Sequence, residues 1–303
     1  MEILKEPCGV LVIDKPAGIT SHDVVGRIRR LYGTRRVGHT GTLDPMATGV
    51  LVILIGRAAK AAEYLTVKKK TYRAELRLGI TTDTEDVTGR VLTSCDQIPP
   101  AAEVIRTAKG FGGDILQTPP MYSALKVNGQ KLVDLARKGV AVEREARPIT
   151  VHSLTCEALC NGDYALEVTC SAGTYIRTLC ADIGKALGCG GAMSALRRTH
   201  SGEFSLEHAL TLSELEQKSN EERLSLLLPV ERLFEDLPAV NLPEFYEKLC
   251  RNGCEIYQKK IGTAQKVGTR VRICTSTGSF FALGEVQEYE SGTAIKSIKY
   301  FDI

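Results

Sequence analysis

The chain has 303 residues, of which 43% are hydrophobic and 25% are charged, a composition typical of soluble globular proteins. Its longest apolar run, residues 49–56, is far shorter than the ~20 residues that a membrane-spanning helix needs. The N-terminus shows no secretory signal, and the ten cysteines lack the spacing or the neighbouring histidines of a zinc site. We therefore expect a cytoplasmic protein with reduced thiols, without a metal and without membrane association.

The charge is distributed unevenly along the chain. Residues 1–80 contain 14 Lys and Arg against 7 Asp and Glu, and residues 101–150 contain 8 against 5. Residues 201–303 contain 12 against 16, so the C-terminal third is mildly acidic. A strongly basic N-terminal part predicts a polyanionic partner.

Apolar periodicity and turn residues predict both strands and helices. The run at 50–56 has no polar alternation, which predicts a strand buried on both faces. The segment 70–79 alternates strictly, which predicts a strand with Tyr72 on its apolar face and Arg73 on its polar face. Further strands are predicted at 9–14, on both sides of the turn 161–163 and at 193–204, and helices near 20–32, 57–65, 100–110 and 174–188.

Two segments depart from this pattern. Residues 117–139 contain two prolines and an Asn-Gly turn before a short basic helix, which predicts a projecting loop. Residues 237–245, LPAVNLPEF, also contain two prolines and resemble a linker. The order of elements predicts an α+β fold: residues 1–236 form one domain around a large mixed or antiparallel sheet, and residues 240–303 form a small β-rich domain.

One carboxylate, Asp44, stands alone in the glycine-rich basic stretch RRVGHTGTLDPMATGVLVILIG, residues 35–56. Among Arg, His and Thr side chains its ionised form is expected to be favoured, so that it would act as a nucleophile or a base. Gly38 and Gly41 would let a second molecule approach the backbone closely. An Asp-Pro turn alone would explain Asp44, but it would leave His39 and the surrounding threonines and glycines without a reason.

Motifs of several common chemistries are absent from the sequence. It contains neither of the glycine-rich spacings that bind nucleoside triphosphates or dinucleotides, and no nucleophile-elbow serine or HExxH motif. Asp44 also lacks the second nearby carboxylate that a glycosidase would need. We therefore expect Asp44 to act without a metal or a cofactor.

Six segments, in chain order, resemble those of the bacterial tRNA pseudouridine synthases of the TruB type. They are GVLVIDKPAGITSHDVV, RRVGHTGTLDPMATGVLVILIGRAAK, KTYRAELRLGITTDTEDVTG, QTPPMYSALKVNGQKLVDLARKG, GTYIRTLCADIG and ALRRTHSGEF. The resemblance implies an isomerase that flips uridine 55 out of the tRNA T loop, cleaves its glycosidic bond and rejoins the base through C5, without a cofactor. It also implies a catalytic domain with an RNA-binding insertion at 117–139, and a C-terminal part similar to a small PUA-type RNA-binding domain.

The same resemblance implies roles for individual residues. Asp44 is implied as the catalytic carboxylate, Tyr72 as a catalytic residue against the target base, and Arg177 as the ion-pair partner of Asp44. His39 is implied to fill the gap that the flipped uridine leaves. The other implied substrate-binding residues are Tyr175 and Leu196 in the uridine pocket and Lys15 of the DKP turn.

Basic residues outside the pocket are expected to contact phosphates of the tRNA T-arm. They are Lys68, Lys69, Lys126, Lys131, Arg137, Lys138, Arg197 and Arg198. No obligatory protein partner is expected. Two alternatives stay open. One is a guide-RNA-dependent pseudouridine synthase of the same superfamily, and the bacterial-type insertion PPMYSALKVNGQKL argues against it. The other is an RNA-binding or RNA-folding module with weak catalysis, and the complete set of implied catalytic residues argues against it.

Overall fold

The computed structural model describes residues 6–65, 69–127 and 129–301, which form an α+β architecture. The strands are β1 (Gly9–Lys15), β2 (Val37–His39), β3 (Thr48–Ile55), β4 (Lys70–Leu78), β5 (Ile80–Thr82), β6 (Val91–Ser94), β7 (Gly113–Gln117), β8 (Lys126–Val127), β9 (Gln130–Lys131), β10 (Arg147–Ala158), β11 (Tyr164–Cys170), β12 (Gly191–Ser201), β13 (Phe204–Ser205), β14 (Ala239–Asn241), β15 (Ile256–Tyr257), β16 (Arg270–Cys274), β17 (Phe280–Tyr289) and β18 (Gly292–Tyr300). The α-helices are α1 (Ser21–Tyr32), α2 (Ala101–Lys109), α3 (Leu132–Arg137), α4 (Ile176–Ala186), α5 (Leu212–Gln217), α6 (Asn220–Ser225), α7 (Glu244–Arg251) and α8 (Gln258–Ile261), and 3-10 helices span Gly56–Glu63, Leu206–His208 and Val230–Phe234.

Nine of the described strands form one large sheet. Its order is β1-β3-β12-β4-β11-β10-β7, with β2 added to β3 and β13 added to β12. Its strand pairs are antiparallel except for β3 and β12, which run parallel with Arg197 beside Thr48. The prediction of an α+β fold around a large mixed sheet is confirmed.

The central strands of this sheet are buried as their sequences predict. In β3, Leu51 faces a core formed with α1, α2 and α4, whereas Val52 faces a second core on the opposite side. β4 instead alternates, with Tyr72 buried and Arg73 exposed. Helices therefore cover one face of the sheet, and this face carries the side chain of Tyr72.

Helix α1 begins with a capping box formed by Thr20 and Asp23. The side chain of Thr20 accepts a hydrogen bond from the Asp23 N–H at 3.0 Å, and the Asp23 carboxylate accepts one from the Thr20 N–H at 2.8 Å. Gly33 ends the helix in the left-handed conformation, with φ of 62°. At the start of the helix, the hydroxyl of buried Ser21 bonds both the N–H and the carbonyl of Leu43, at 2.9 and 3.0 Å, and so attaches the loop between β2 and β3 to α1.

The C-terminal part forms a five-stranded sheet in the order β14-β16-β17-β18-β15, so its predicted β-rich character is confirmed. Residues 237–245 do not form the linker that their prolines suggested, because Ala239–Asn241 is β14 and pairs in parallel with β16. Pro238 precedes that strand and Pro243 immediately precedes α7. Neither proline interrupts a strand ladder, so both are compatible with ordered structure.

An apolar contact joins the two sheets. The rings of Phe234, Phe280 and Phe301 lie with centroids 5.6 to 6.1 Å apart. They belong to the core on the rear of β1 and β3, which also contains Leu283 of β17. The C-terminal sheet therefore packs on the side of the large sheet opposite α1 and α4. Among the described residues, no helix has the length and apolar character needed to cross a membrane.

Candidate active site

The loop between β2 and β3 carries Asp44. Lys15, at the end of β1, holds the turn that follows Asp44 in this loop. The Lys15 ammonium donates hydrogen bonds to the carbonyls of Pro16, Pro45 and Ala47 at 2.8, 3.2 and 2.7 Å. Its side chain has no exposed surface, and burial lowers the pKa of Lys15 to about 8. With its three protons used by backbone carbonyls, Lys15 orders the turn and does not line the substrate cavity, in contrast to the predicted substrate contact.

Arg198 on β12 holds the first half of the same loop. Its guanidinium donates to the carbonyls of Val50 at 2.7 Å, Thr42 at 3.3 Å and Gly41 at 3.0 Å. The residue is 1% exposed. The prediction that Arg198 contacts RNA phosphates is therefore wrong, because its guanidinium is buried and already bonded to backbone carbonyls.

Asp44 forms an ion pair with Arg177, the second residue of α4. Arg177 Nε lies 2.9 Å from Asp44 Oδ2, and Nη2 lies 3.4 Å from Oδ1. The remaining donors bond the carbonyls of Thr84 and Tyr122, each at 2.9 Å. The side chain of Arg177 is 6% exposed and that of Asp44 is 33% exposed. The structure thus places a fixed guanidinium fork against a carboxylate that substrate can still reach.

The protonation of Asp44 depends on opposing influences. Burial raises the pKa of Asp44, Arg177 opposes this effect, and the nearby carboxylate of Asp86 raises it again. Asp86 Oδ2 lies 3.8 Å from Nη1 of Arg177, so two carboxylates share one guanidinium. The upward direction is opposite to that expected from the sequence, because the expectation counted the neighbouring cations and not the removal of water.

Asp44 lines a cavity of about 580 Å³ between the large sheet, α1 and α4. Residues predicted from the sequence that also line this cavity are His39, Tyr72, Tyr175, Arg177 and Leu196. Lining residues that were not singled out as substrate contacts are Ser21, His22, Lys70, Tyr122, Ser123 and Lys131. The volume lies within the range typical of small-molecule sites and is large enough for one nucleoside.

Tyr72 and His39 present uncharged rings to this cavity. Tyr72 is 6% exposed, and burial raises the pKa of its phenol. Burial lowers the pKa of His39, which favours the neutral imidazole. The buried Nδ1 of His39 has no hydrogen-bond partner among the described residues. Both side chains therefore offer flat, uncharged surfaces to an aromatic ligand.

Lys70 ends the basic run 68–70, in which phosphate contacts are expected, and it is a cation that lines the cavity. Burial lowers the pKa of Lys70 to about 8. A Cβ atom at Gly41 would lie 2.7 Å from its Nζ, so glycine is needed there unless the lysine moves. Its position two residues before Tyr72 places both on the same face of β4, and this alternation was the available signal.

Apart from Arg198, the predicted phosphate contacts fall into three groups. Arg197 forms an ion pair with Asp14, with N–O distances of 2.6 and 3.1 Å, and pairs in register with outward-facing Arg73. It therefore lies on the sheet face opposite the cavity. Lys68 lies outside the described residues. The remaining predicted phosphate contacts are exposed, and they are Lys69, Lys126, Lys131, Arg137 and Lys138.

No group of three or more His, Cys, Asp or Glu side chains that could hold a metal ion occurs in residues 6–65, 69–127 and 129–301. The cavity is lined by a carboxylate, a guanidinium, ammonium groups and aromatic rings. These groups can bind an anionic, aromatic ligand and bring one carboxylate against it.

Two family models match consecutive parts of the chain. The model of the TruB family pseudouridylate synthase N-terminal domain matches residues 29–176, and that of the tRNA pseudouridylate synthase B C-terminal domain matches residues 177–235. These matches define a pseudouridylate synthase, an enzyme of the isomerase class. The chain belongs to the TruB family, so the family and enzyme class that the sequence motifs predicted are confirmed.

Relatives and solved structures extend the match along the chain. The tRNA pseudouridine synthase B of Alkaliphilus oremlandii is 46% identical over 249 residues, covering 82% of this chain and 83% of the relative. That of Clostridium kluyveri is 40% identical over 293 residues, covering 97% and 99%. A chain in the crystal structure of a Cbf5-Nop10-Gar1 complex superposes with a TM-score of 0.74 at 29% identity, covering 97% of this chain and 85% of that chain.

Proposed function

We propose that this enzyme isomerises uridine 55 in the T loop of tRNA to pseudouridine. The observation that carries the proposal is the ion pair of Asp44 with Arg177 in a nucleoside-sized cavity that also contains Tyr72 and His39. The substrate class is supported by relatives that are tRNA pseudouridine synthases B and are 40% and 46% identical over most of this chain.

The reaction needs groups that the cavity supplies. The N1–C1′ bond of uridine breaks, the uracil turns, and a C5–C1′ bond forms, so the product is an isomer and no electrons are exchanged. These reaction steps require a carboxylate beside the sugar, a site that excludes water and retains the freed base, and extrusion of the nucleotide from its stack. Asp44 supplies the carboxylate, and its two routes are attack on C1′ and removal of the 2′-hydrogen to give a glycal.

Arg177 aims the carboxylate and supports its ionised form, because its fork contacts both oxygens of Asp44. Tyr72 lies against the uracil, and the raised pKa of its phenol makes stacking the better supported role at neutral pH. Tyr175 and Leu196 enclose the base. His39 occupies the space that the flipped uridine leaves in the RNA, which suits a neutral imidazole.

The projecting segment 117–139 holds the RNA over the cavity in this proposal. Its cations Lys126, Lys131, Arg137 and Lys138 are exposed, and Lys131 also lines the cavity. We assign residues 1–236 to the catalytic domain, and the C-terminal sheet, whose first strand begins at Ala239, to a PUA-like RNA-binding domain.

Modification mapping on mixed tRNA with the wild type and Asp44→Asn tests the proposal. Carbodiimide labelling of the RNA before and after incubation reveals pseudouridine. We expect label at position 55 with the wild type only. Asp44→Asn should reduce turnover by several orders of magnitude while leaving T-arm affinity nearly intact, because the carboxylate serves chemistry and the basic surface serves binding. Multiple turnover by a clean Asp44→Asn preparation would contradict the assigned role of Asp44.

The structural likeness to chains of a Cbf5-Nop10-Gar1 complex and of an H/ACA RNP bound to a substrate RNA keeps one alternative, a guide-RNA-dependent pseudouridine synthase. A bare T-arm stem-loop separates the two, because a guide-dependent enzyme would leave it unmodified. An RNA-folding module with weak catalysis would show a third pattern, in which wild type and Asp44→Asn bind tRNA equally and neither modifies it efficiently.

A further inference from the structure

Gln117 is a buried polar residue whose side chain is bonded to the backbone beside the catalytic arginine. It ends β7, begins the segment 117–139 and is 2% exposed. Its Nε2 donates to the Tyr175 carbonyl at 3.0 Å, and its Oε1 accepts from the Tyr175 N–H at 2.8 Å. The amide thus pairs with one residue's backbone at both of its polar atoms, as a neighbouring strand would.

The place of this pairing is the start of α4. Tyr175 is the N-cap residue of the helix, and its own side chain makes no capping hydrogen bond. Gly173, two residues earlier, has φ of 88°, and a Cβ there would meet no atom within 4 Å. The rest of the helix is fixed by packing, because Leu179 and Ile183 lie in the core. The first turn is held as well, because Ile176 lies in the same core and the Thr178 hydroxyl donates to the Glu85 carboxylate. Gln117 adds the two hydrogen bonds that fix the backbone at the start of this turn.

Arg177 lies in that first turn, two residues after Tyr175, and the same segment also contacts it directly. The Tyr122 carbonyl, five residues after Gln117, accepts from Arg177 Nη2 at 2.9 Å. The segment 117–139 therefore fixes the catalytic arginine at two points: the backbone of the first turn through Gln117 and the guanidinium through Tyr122.

We propose that Gln117 is a positioning residue of the pseudouridine synthase reaction, which sets the first turn of α4 so that the Arg177 fork meets both oxygens of Asp44. This inference rests on the proposed function, because that function gives the ion pair of Asp44 and Arg177 its catalytic role. Gln117 itself lies outside the set of residues that line the cavity, so its effect on the reaction passes through α4.

Gln117→Met tests the proposal, because methionine keeps an unbranched side chain of similar length and loses both hydrogen bonds. We expect the single-turnover rate constant at saturating T-arm RNA to fall about 10- to 100-fold, since a misplacement of about 1 Å has effects of that size, and the Kd for RNA to change by less than about threefold.

A matched control separates positioning from a general loss of stability. Gln258 is also a buried glutamine, 3% exposed, and its side chain bonds both the carbonyl and the N–H of Gln265. It lies in the C-terminal part, away from the cavity. Gln258→Met should lower the melting temperature as Gln117→Met does but leave the saturated rate constant at the wild-type value.

A second readout does not depend on activity. A carbon-13 titration of the aspartate carboxyls, with the Asp44 signal identified by its loss in Asp44→Asn, should show a higher pKa for Asp44 in Gln117→Met than in wild type. Arg177 is the strongest influence that opposes burial at Asp44, while Asp86 and Lys15, the other charged groups facing it, are unchanged.

A folded Gln117→Met with wild-type rate and wild-type Asp44 titration would overturn the inference. If this variant does not fold, Gln117→Glu decides the question, because it keeps the acceptor for the Tyr175 N–H and loses the donor: a reduced rate supports the inference, and an unchanged rate overturns it. A wild type that leaves T-arm RNA unmodified would refute the proposed function, and the Asp44 titration would still support or overturn the role of Gln117.

Discussion

Replacing Arg177 with lysine keeps the positive charge beside Asp44 and removes the planar fork. In the wild type the guanidinium makes two contacts with Asp44, at 2.9 and 3.4 Å, and donates to the carbonyls of Thr84 and Tyr122. A single ammonium cannot reach all of these acceptors. We therefore expect Arg177→Lys to impair the aim of the carboxylate and, separately, to leave at least one carbonyl without its donor.

The size of both effects follows from these contacts. Loss of one charge-assisted contact with Asp44 costs about 1.5–3 kcal/mol. At 1.36 kcal/mol for each factor of ten, the chemical step should slow roughly 10- to 150-fold. A carbonyl left unsatisfied in this buried site should lower the free energy of unfolding by about 1–3 kcal/mol.

Single-turnover isomerisation at saturating T-arm RNA measures the chemical step, and filter binding measures the affinity, which should change little. Arg77→Lys is a suitable control because Arg77 makes an equivalent fork with Asp163, with both N–O distances 3.0 Å, on the outer face of β4. The control should lose some stability and retain the wild-type rate. A wild-type rate in folded Arg177→Lys would refute the reasoning, because the fork would then serve only the structure.

Further predictions concern the base contact, the projecting segment and pH. Tyr72→Phe should bind RNA normally and retain turnover if the ring mainly stacks. If an intermediate accumulates after glycosidic cleavage instead, the hydroxyl removes the C5 proton. A Tyr72→Ala variant with wild-type activity would contradict any contact of Tyr72 with the base. Replacing Lys131, Arg137 and Lys138 by glutamine should flatten the slope of log affinity against log salt by roughly one to two units, if two phosphate contacts are lost. Saturating RNA should largely restore turnover. An unchanged slope would place the RNA elsewhere. Burial raises the pKa of Asp44, and the ionised carboxylate is the active form. The single-turnover rate should therefore fall with decreasing pH, through a midpoint above the ordinary aspartate pKa of about 3.9. A midpoint at or below that value would contradict the effect of burial.

The sequence by itself determined the local elements and the chemistry of the site. Strict alternation in 70–79 placed Tyr72 on the inner face of β4, and the uninterrupted apolar run in 50–56 indicated a strand buried on both faces. The helix predicted near 20–32 is α1, Ser21–Tyr32. These features depend on neighbouring residues in the chain, so the sequence carries them directly.

The tertiary structure decided which polar residues face substrate and which hold the backbone. Arg197 and Arg198 are adjacent and chemically identical, yet β12 directs Arg197 to Asp14 on the outer face and Arg198 to the carbonyls of Gly41 and Thr42 in the loop before β3. The basic residue Lys15 likewise bonds backbone carbonyls from a fully buried position. Successive side chains of a strand point to opposite faces, but only the neighbouring strands and loops determine what each face meets.

Long-range contacts also decided the electrostatics of the site and the start of the C-terminal sheet. The upward direction of the Asp44 pKa comes from burial and from Asp86, which approaches through a different turn of the chain. Residues 237–245 have the composition of a linker, but Ala239–Asn241 becomes a strand because β16, about thirty residues later, supplies its hydrogen-bonding edge. Desolvation and strand pairing depend on groups that are distant in sequence, and therefore only the folded chain determines them.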